Sequence, residues 1–587
     1  MNIKRIQFLS LLCCIFSAVF SCTLVSFHAD ISLIAFPVSL IFTVLLFFFS
    51  FKKLFSESKL AFISVLREFL QYLPYVLLIS FVFRRSGETG TPYALDIVSV
   101  ILWIFASAIS VVISYYLNPK HISKVSGEWH AFVEAKKAER KNRGQTALVK
   151  ATVFELLSWI DALVQAVFMV LLLNIFIVQL YEIPSESMVP EFLIKDRVVV
   201  FKTLSGPKFP LSEVGLPYIK KYNRGDIVVF RNPHYANDRK SEVRTFLSQL
   251  VYMCTLTKVN LNVDENGNQK ADPLVKRVCG VAGEQLMMQD GILYVRTKDS
   301  PQFTAVDSDA SWATWNLNAV RPSLKSGIHD FPLTESDYAD LLSVEEERKN
   351  LNFDELSSEC TEIATKFEAI WKKSSNSKSG TLSFSDEQLS VYSLFINSSY
   401  FTAGLLSSQN GSEWFSSFMC DWISHVPEFS DDLYSEANFR LNLMIKLLSG
   451  KMILRNAELY ISGVHNEVWQ RDVQQNENLQ NAQKLYTYVM LLDLRNMPIF
   501  PANADDGSPR YIPENCYFMM GDNRFNSLDM RHSYDRWTTK LTPFDAYSVT
   551  YTTDMQPQYV HKNRMLGSTS YRFWPVSRAG IPGHTGR

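Results

Sequence analysis

Ile183-Pro184-Ser185-Glu186-Ser187-Met188-Val189-Pro190 follows directly on a long apolar run that ends near Tyr181. Proline fixes φ and has no N–H to give a ladder, so both ends of this stretch are stiff. Pro184 drives Ile183 out of the helical region, which ends the preceding helix. The expectation is a serine, Ser187, held on a rigid extended segment just outside a bilayer. Six steps separate Tyr181 from Ser187, and an extended chain covers at most about 20 Å in that distance. A nucleophile placed here reaches only partners that also sit at the membrane surface.

Upstream of this stretch lie five apolar runs, near 7–27, 31–50, 69–83, 94–117 and 155–180. Most approach the ~20 residues a membrane-spanning helix needs, the third being the shortest. The first also reads as a cleaved signal peptide or, with Cys22 after Val19-Phe20-Ser21, as a lipoprotein signal. Against the latter, leucine is not at the expected place, and a second apolar run follows at once. Basic residues cluster before the first run (Lys4, Arg5), between the second and third (Lys52, Lys53, Lys59, Arg67), and between the fourth and fifth (Lys120 to Lys150, including Arg143). Placing these clusters in the cytoplasm requires alternate crossings, which five spans supply. Arg84 and Arg85 fall on the outer side and run against the rule. Everything after Tyr181 is then extracytoplasmic.

At 587 residues the chain is too long for one domain. Its net charge of −1, with no basic domain, argues against nucleic acid as the main partner. Eight cysteines contain no Cys-x-x-Cys pair and no histidine cluster has zinc spacing, so no metal is expected. No organic cofactor is implied either. After Tyr181 the chain reads as strands: Arg197–Phe201, Ile227–Phe230 after the turn Asn223-Arg224-Gly225-Asp226, and Leu274–Val281. Asp290-Gly291 reads as a hairpin turn into Ile292–Val295. Residues from about 333 to 495 have helical composition, with Ser374–Gly380 as a linker. Strand character returns at Cys516–Met520 and again at Tyr571–Pro575, where Trp574 reads as core. The middle therefore reads as an insertion between two parts of one β-rich domain, with no chemistry of its own.

A serine hydroxyl is a weak nucleophile and needs a base. The ten histidines are scattered and none sits in a motif. Lys276 lies inside the apolar strand Leu274-Val275-Lys276-Arg277-Val278, with Arg277 on the opposite face by the two-residue period, so that one is expected inside and the other wet. A buried lysine loses its charge readily. Lowering its pKa from ~10.4 to ~8 costs roughly 3 kcal/mol.

Four boxes occur in order: Pro184–Pro190; Arg224-Gly225-Asp226 with Ile227–Phe230; Lys276-Arg277-Val278 with Gly283-Glu284; and Gly521-Asp522-Asn523-Arg524 with Asn526, Ser527, Asp529 and Arg531. Together, after a membrane span, they resemble the bacterial type I signal peptidases, the Ser/Lys leader peptidases. The resemblance covers about 175–300 and 510–580, and not the first four spans or the insertion. It implies a mostly antiparallel β catalytic domain, interrupted here by a largely α-helical insertion and preceded by a multi-span α-helical membrane region. The expected divisions are 1–117 (four spans), 118–150 (basic cytoplasmic loop), 151–181 (fifth span), 182–300 and 506–587 (catalytic β domain), and 301–505 (insertion).

Carried over by position, the resemblance implies Ser187 as nucleophile and Lys276 as general base. Ser185 would join the Ser187 N–H in an oxyanion hole, and Ser527 would orient the lysine. Asp529 and Arg531 would support the site, with Gly521, Asp522 and Asn523. Ile183, Pro184 and Val275 would line pockets for small residues of a substrate added as a strand. The implied activity is cleavage of signal peptides from preproteins at the outer face of a bacterial cytoplasmic membrane, with the translocation machinery as a further candidate partner. Phe525 stands where an Asp is common, Met530 where a small residue is, Glu191 in place of a Thr, and Val281-Ala282 in place of Leu-Pro. The alternative is a polytopic membrane scaffold with a partner-binding, non-catalytic outer domain. A narrower one is an inactive family member or one that trims specialised substrates.

Overall fold

The structure, a computed structural model, describes residues 2–583 apart from 88–91, 142–147, 236–237, 256–258, 260, 264–266, 268–269, 375–377 and 464–471. Arg143 of the expected basic loop, and part of the Ser374–Gly380 linker, lie outside the described residues. The chain divides into two compact units. One comprises Met1–Leu180, Val200–Lys220 and Tyr235–Asp272; the other comprises Tyr181–Val199, Lys221–His234 and Pro273–Arg587.

The first unit contains five helices long and apolar enough to cross a membrane: Ile3–Thr23, Ile31–Ser56, Phe62–Ser86, Tyr93–Leu117 and Glu155–Phe176. This makes the chain a membrane protein. The third helix is longer than its apolar run, because Arg67 and Glu68 dilute the hydropathy of its first turns without interrupting the helix. Several hydroxyls within these helices donate back to the preceding turn, as Ser21 to the Ser17 carbonyl and Thr43 to that of Ser39. That satisfies polar groups where water is scarce. Arg85, one of the two arginines against the charge rule, lies 3.3 Å from Asp96 and donates to the Leu211 carbonyl. Its charge is compensated inside the unit. The helix Arg239–Cys254 also belongs here; its polar composition gave no sign of membership in an apolar unit.

The second unit is built on antiparallel pairs, written in chain order as β1 (Val178–Glu182), β2 (Arg197–Phe201), β3 (Ile227–Phe230), β4 (Leu274–Gly280), β5 (Glu284–Gln289), β6 (Ile292–Thr297), β7 (Thr304–Ala305), β8 (Met497–Phe500), β9 (Cys516–Met520), β10 (His532–Lys540), β11 (Thr550–Met555), β12 (Val560–His561) and β13 (Met565–Trp574). The main sheet runs β1-β2-β13-β3-β4-β9-β12, a second runs β7-β6-β5-β8, and β10 pairs with β11. The all-buried Ile227–Phe230 explains why β3 reads as an unbroken apolar run: it is a central strand with both faces covered. Asp290 and Gly291 both have positive φ and join β5 to β6 with Gln289 opposite Ile292, the geometry of a two-residue hairpin turn.

Between β7 and β8 the chain is mainly helical, with Glu335–Lys349, Phe353–Lys373, Leu433–Ile461 and Val473–Met490 the longest elements. Phe367, Phe415, Phe418 and Phe439 are fully buried in its core, which extends to Phe525, Val549 and Tyr551 of the β part. Buried ion pairs tie the two together: Arg348 with Asp290 at 2.5 Å, and Lys446 with Asp545 at 2.6 Å. Trp574, expected as core, is half exposed, because β13 ends there and the chain turns away at Pro575.

Candidate active site

Ser187 opens a tight turn, in contrast to the extended segment expected. Ile183 is extended and pinned on both sides, donating to the Asp196 carbonyl and accepting from the Lys195 N–H, each within 2.9 Å. From Glu186 the chain folds back: Val189 N–H donates to the Glu186 carbonyl and Phe192 N–H to that of Met188. Met188, Val189 and Phe192 are buried beneath the turn. Burial of these apolar side chains outweighs the extended preference that the prolines impose.

Lys276 lies in β4 opposite Val228 of β3. Its Nζ is 2.6 Å from Ser187 Oγ. The side chain is buried, and burial pushes its pKa down to about 8, although Asp529 and Asp522 pull it back toward the charged form. An amine tuned this way is largely charged at pH 7 yet gives up its proton easily. In the neutral form it accepts a proton from the hydroxyl it touches.

Arg277, expected to stay wet, is as buried as its neighbour. Alternation does place it on the other face, but that face is covered. Its guanidinium meets Asp522 with two bonds of 2.8 and 2.6 Å and lies 4.9 Å from the ring centre of Trp312. Cys279, two residues on, is buried, and burial pushes its thiol up to about 12. It is a core residue and a poor nucleophile.

The loop after β9 closes the site. Asn523 donates its backbone N–H to the Ser187 carbonyl and its Nδ2 to the Glu186 carbonyl, both at 3.1 Å. Asp529 accepts from Gly521 N–H, from Ser527 Oγ at 2.9 Å and from Arg531 Nε at 2.9 Å. Burial alone would raise the Asp529 carboxyl, but the Arg531 guanidinium outweighs it and holds the group well below the usual carboxylate range. Ser527 therefore points its hydroxyl at Asp529, the same carboxylate that acts on Lys276. Ser185 Oγ lies 3.4 Å from Ser187 Oγ on the exposed side of the site. Ile183 is buried, Val275 half-buried and Pro184 exposed.

Gly521 has no room for a side chain. An added methyl would overlap both Ser527 Oγ and the Ser187 carbonyl oxygen, and the latter is backbone. Gly521→Ala is expected to lower stability by about 1–3 kcal/mol and to reduce any activity of Ser187 more than tenfold, read from a thermal melt and a cleavage assay on one preparation.

Residues 307–330, read from the sequence as the start of the insertion, surround this loop. Asp309 pairs with Arg524 at 2.6 Å. Thr314 N–H donates to the Asp522 carbonyl. Trp315 packs edge-on against Phe525, 5.2 Å between ring centres. This accounts for Phe525 in place of an acid, since its pocket is apolar. Glu191, in place of a threonine, is buried 3.8 Å from both Arg277 and Arg572. No local signal marks Asp309, Trp312 or Thr314 as neighbours of the site, because they reach it only through tertiary folding.

Known proteins share parts of this sequence. Signal peptidase I of Buchnera aphidicola subsp. Baizongia pistaciae is 42% identical over 65 residues, 11% of this chain and 21% of that protein. Signal peptidase I of Buchnera aphidicola subsp. Acyrthosiphon pisum is 41% identical over 64 residues, 11% of this chain and 20% of that protein. The aligned part thus spans about a fifth of the length of these curated relatives. No solved structure matches significantly. The family described as "Signal peptidase, peptidase S26" matches residues 156–336 and 448–574, which is more than half of the chain and includes both the serine turn and the 521–531 loop. The chain belongs to the signal peptidase family, peptidase S26.

Proposed function

We propose that this protein is a membrane-bound endopeptidase that removes signal peptides from exported preproteins at the outer face of a bacterial cytoplasmic membrane. The observation that carries the reading is the 2.6 Å contact between Ser187 Oγ and a buried Lys276 amine whose pKa is lowered to about 8. In the proposed reaction neutral Lys276 takes the hydroxyl proton as Ser187 Oγ attacks the scissile carbonyl. The Ser187 N–H and the Ser185 hydroxyl donate to the oxyanion that forms. The C–N bond then breaks, Lys276 returns the proton to the leaving amine, and an ester to Ser187 remains. Lys276 next deprotonates a water, which hydrolyses the ester and frees the serine.

The sheet supports the substrate side of this reading. β4 pairs with β9 only from Arg277 onward, so among the described residues Leu274, Val275 and Lys276 are laddered with β3 alone. An extended substrate segment would pair along this open edge, between Val275 and Ile183, and meet Ser187 with its carbonyl. The basic clusters between the apolar helices support the outward orientation.

The test is cleavage of a preprotein by the full chain in detergent. The expected result is a product shortened at its N-terminus, lost in Ser187→Ala. Absence of cleavage by wild-type protein, across preproteins, would leave a non-catalytic membrane scaffold. A second expectation concerns pH. Only neutral Lys276 accepts the proton, so kcat rises as pH climbs through about 8 and falls on the acid side, tenfold per pH unit well below the midpoint. A rate flat from pH 6 to 9 would exclude Lys276 as the base.

A further inference from the structure

We propose that Glu186 is a positioning residue that orients the peptide carrying the Ser187 N–H, and that His329 and Asp330 act on the reaction through it; this rests on the proposed peptidase reading. Glu186 sits between two serines on a turn that is otherwise partly open, yet it is only 4% exposed. A carboxylate so buried requires partners. They come from the far side of the site: Glu186 Oε1 accepts from His329 N–H at 2.6 Å and Oε2 from Asp330 N–H at 2.9 Å. Each oxygen thus meets its own backbone donor, which fixes the carboxylate in two directions. The donor segment is itself tied to the loop after β9, where Asn526 Nδ2 donates to the Asp330 carbonyl at 3.2 Å.

The consequence lies in the peptide plane between Glu186 and Ser187. In a trans peptide the carbonyl and the N–H point in opposite directions. Asn523 Nδ2 holds the Glu186 carbonyl at 3.1 Å. The Ser187 N–H is therefore aimed away from Asn523, and rotation of the plane would break that bond. The side chain of Glu186 anchors one end of the plane and Asn523 grips its carbonyl. The N–H assigned above to the oxyanion is thereby set before substrate arrives. Preorganised donors of this kind act on charge that appears only in the transition state. Loosening them lowers kcat and leaves KM unchanged. Nothing in this clamp touches the lysine, so the pH midpoint belongs to Lys276 alone.

The experiment uses the full chain in detergent and a fluorogenic peptide with alanine at the first and third positions before the cut. For Glu186→Ala, kcat is expected to fall about 10- to 100-fold, with KM within about twofold and the pH midpoint unmoved. Glu186→Gln keeps one acceptor and is expected between the two. The donor side is tested by His329→Pro, which removes the N–H, against His329→Ala, which keeps it and trims only an exposed ring. His329→Pro should match Glu186→Ala, His329→Ala should match wild type, and the Glu186→Ala/His329→Pro double variant should be no slower than the slower single. If Glu186→Ala no longer melts cooperatively, the His329 pair carries the test alone. Unchanged kcat in a folded Glu186→Ala, a loss carried by KM, or equal rates for the two His329 variants would overturn the clamp. Failure of wild type to cleave, or cleavage persisting in Ser187→Ala, would overturn the peptidase reading instead.

Discussion

Lys276→Met is expected to abolish peptide cleavage, by at least about 10⁴-fold in kcat, while making the folded protein more stable. The two effects have one cause. The buried amine titrates near 8 in the folded chain against 10.5 for a free lysine. A base with a lowered folded pKa binds its proton more weakly folded than unfolded, so folding is opposed wherever the unfolded chain would be protonated. The cost is about 3 kcal/mol, fully present below pH 8 and gone as pH rises through 10.5. Methionine fills a similar volume and carries no charge, so it removes the cost along with the base. Thermal melts of wild type and variant at pH 7 should differ in the variant's favour and converge at alkaline pH. A variant less stable at pH 7 would mean that Lys276 is held by favourable contacts, contrary to the strained base proposed above.

Asp529→Ala is expected to be among the most destabilising single changes in the second unit. Asp529 and Arg531 are both fully buried, and the carboxylate gathers the Gly521 N–H, the Ser527 hydroxyl, and the Nε and Nη2 of Arg531. Removing it strands a buried guanidinium, a loss of about 3–5 kcal/mol. The folded carboxyl titrates below its unfolded value, so this contribution is present above the unfolded pKa, about 4, and lost as pH falls below it. The gentler Asp529→Asn keeps the shape and tests the electrostatics. Asp529 favours charged Lys276 and Arg531 opposes it, so removing the carboxylate charge should move the acid limb of the pH–rate profile to lower pH. A limb that stays near 8, in a variant that folds, would show that Asp529 does not act on the lysine.

Much of this protein is legible in its sequence because the relevant constraints are local. A membrane helix announces itself by length and hydropathy, and five were readable, although Arg67 and Glu68 hid the start of the third. Glycine, with Asn and Asp, marks the turns at Asn223–Asp226 and Asp290-Gly291. The ordered boxes named the residues that meet at the serine, because each box is a short rigid piece whose chemistry depends on side-chain type. What alternation could not give is coverage: it put Lys276 and Arg277 on opposite faces, but whether a face is wet depends on Trp312 and Asp522, 35 and 245 positions further along the chain than Arg277. In the same way, the extended preference of the prolines was correct for Ile183 and failed at Ser187, where burial of Met188, Val189 and Phe192 wins.

The sequence by itself determined the membrane region, the β-rich part and the candidate chemistry of Ser187 and Lys276, since these follow from hydropathy, turn formers and side-chain type. Only the tertiary structure decided that residues 307–330 wall the site, that Phe525 plugs an apolar pocket and that Glu186 is clamped from across the loop. These are contacts between distant parts of the chain, and no local preference encodes a partner that folding alone brings near.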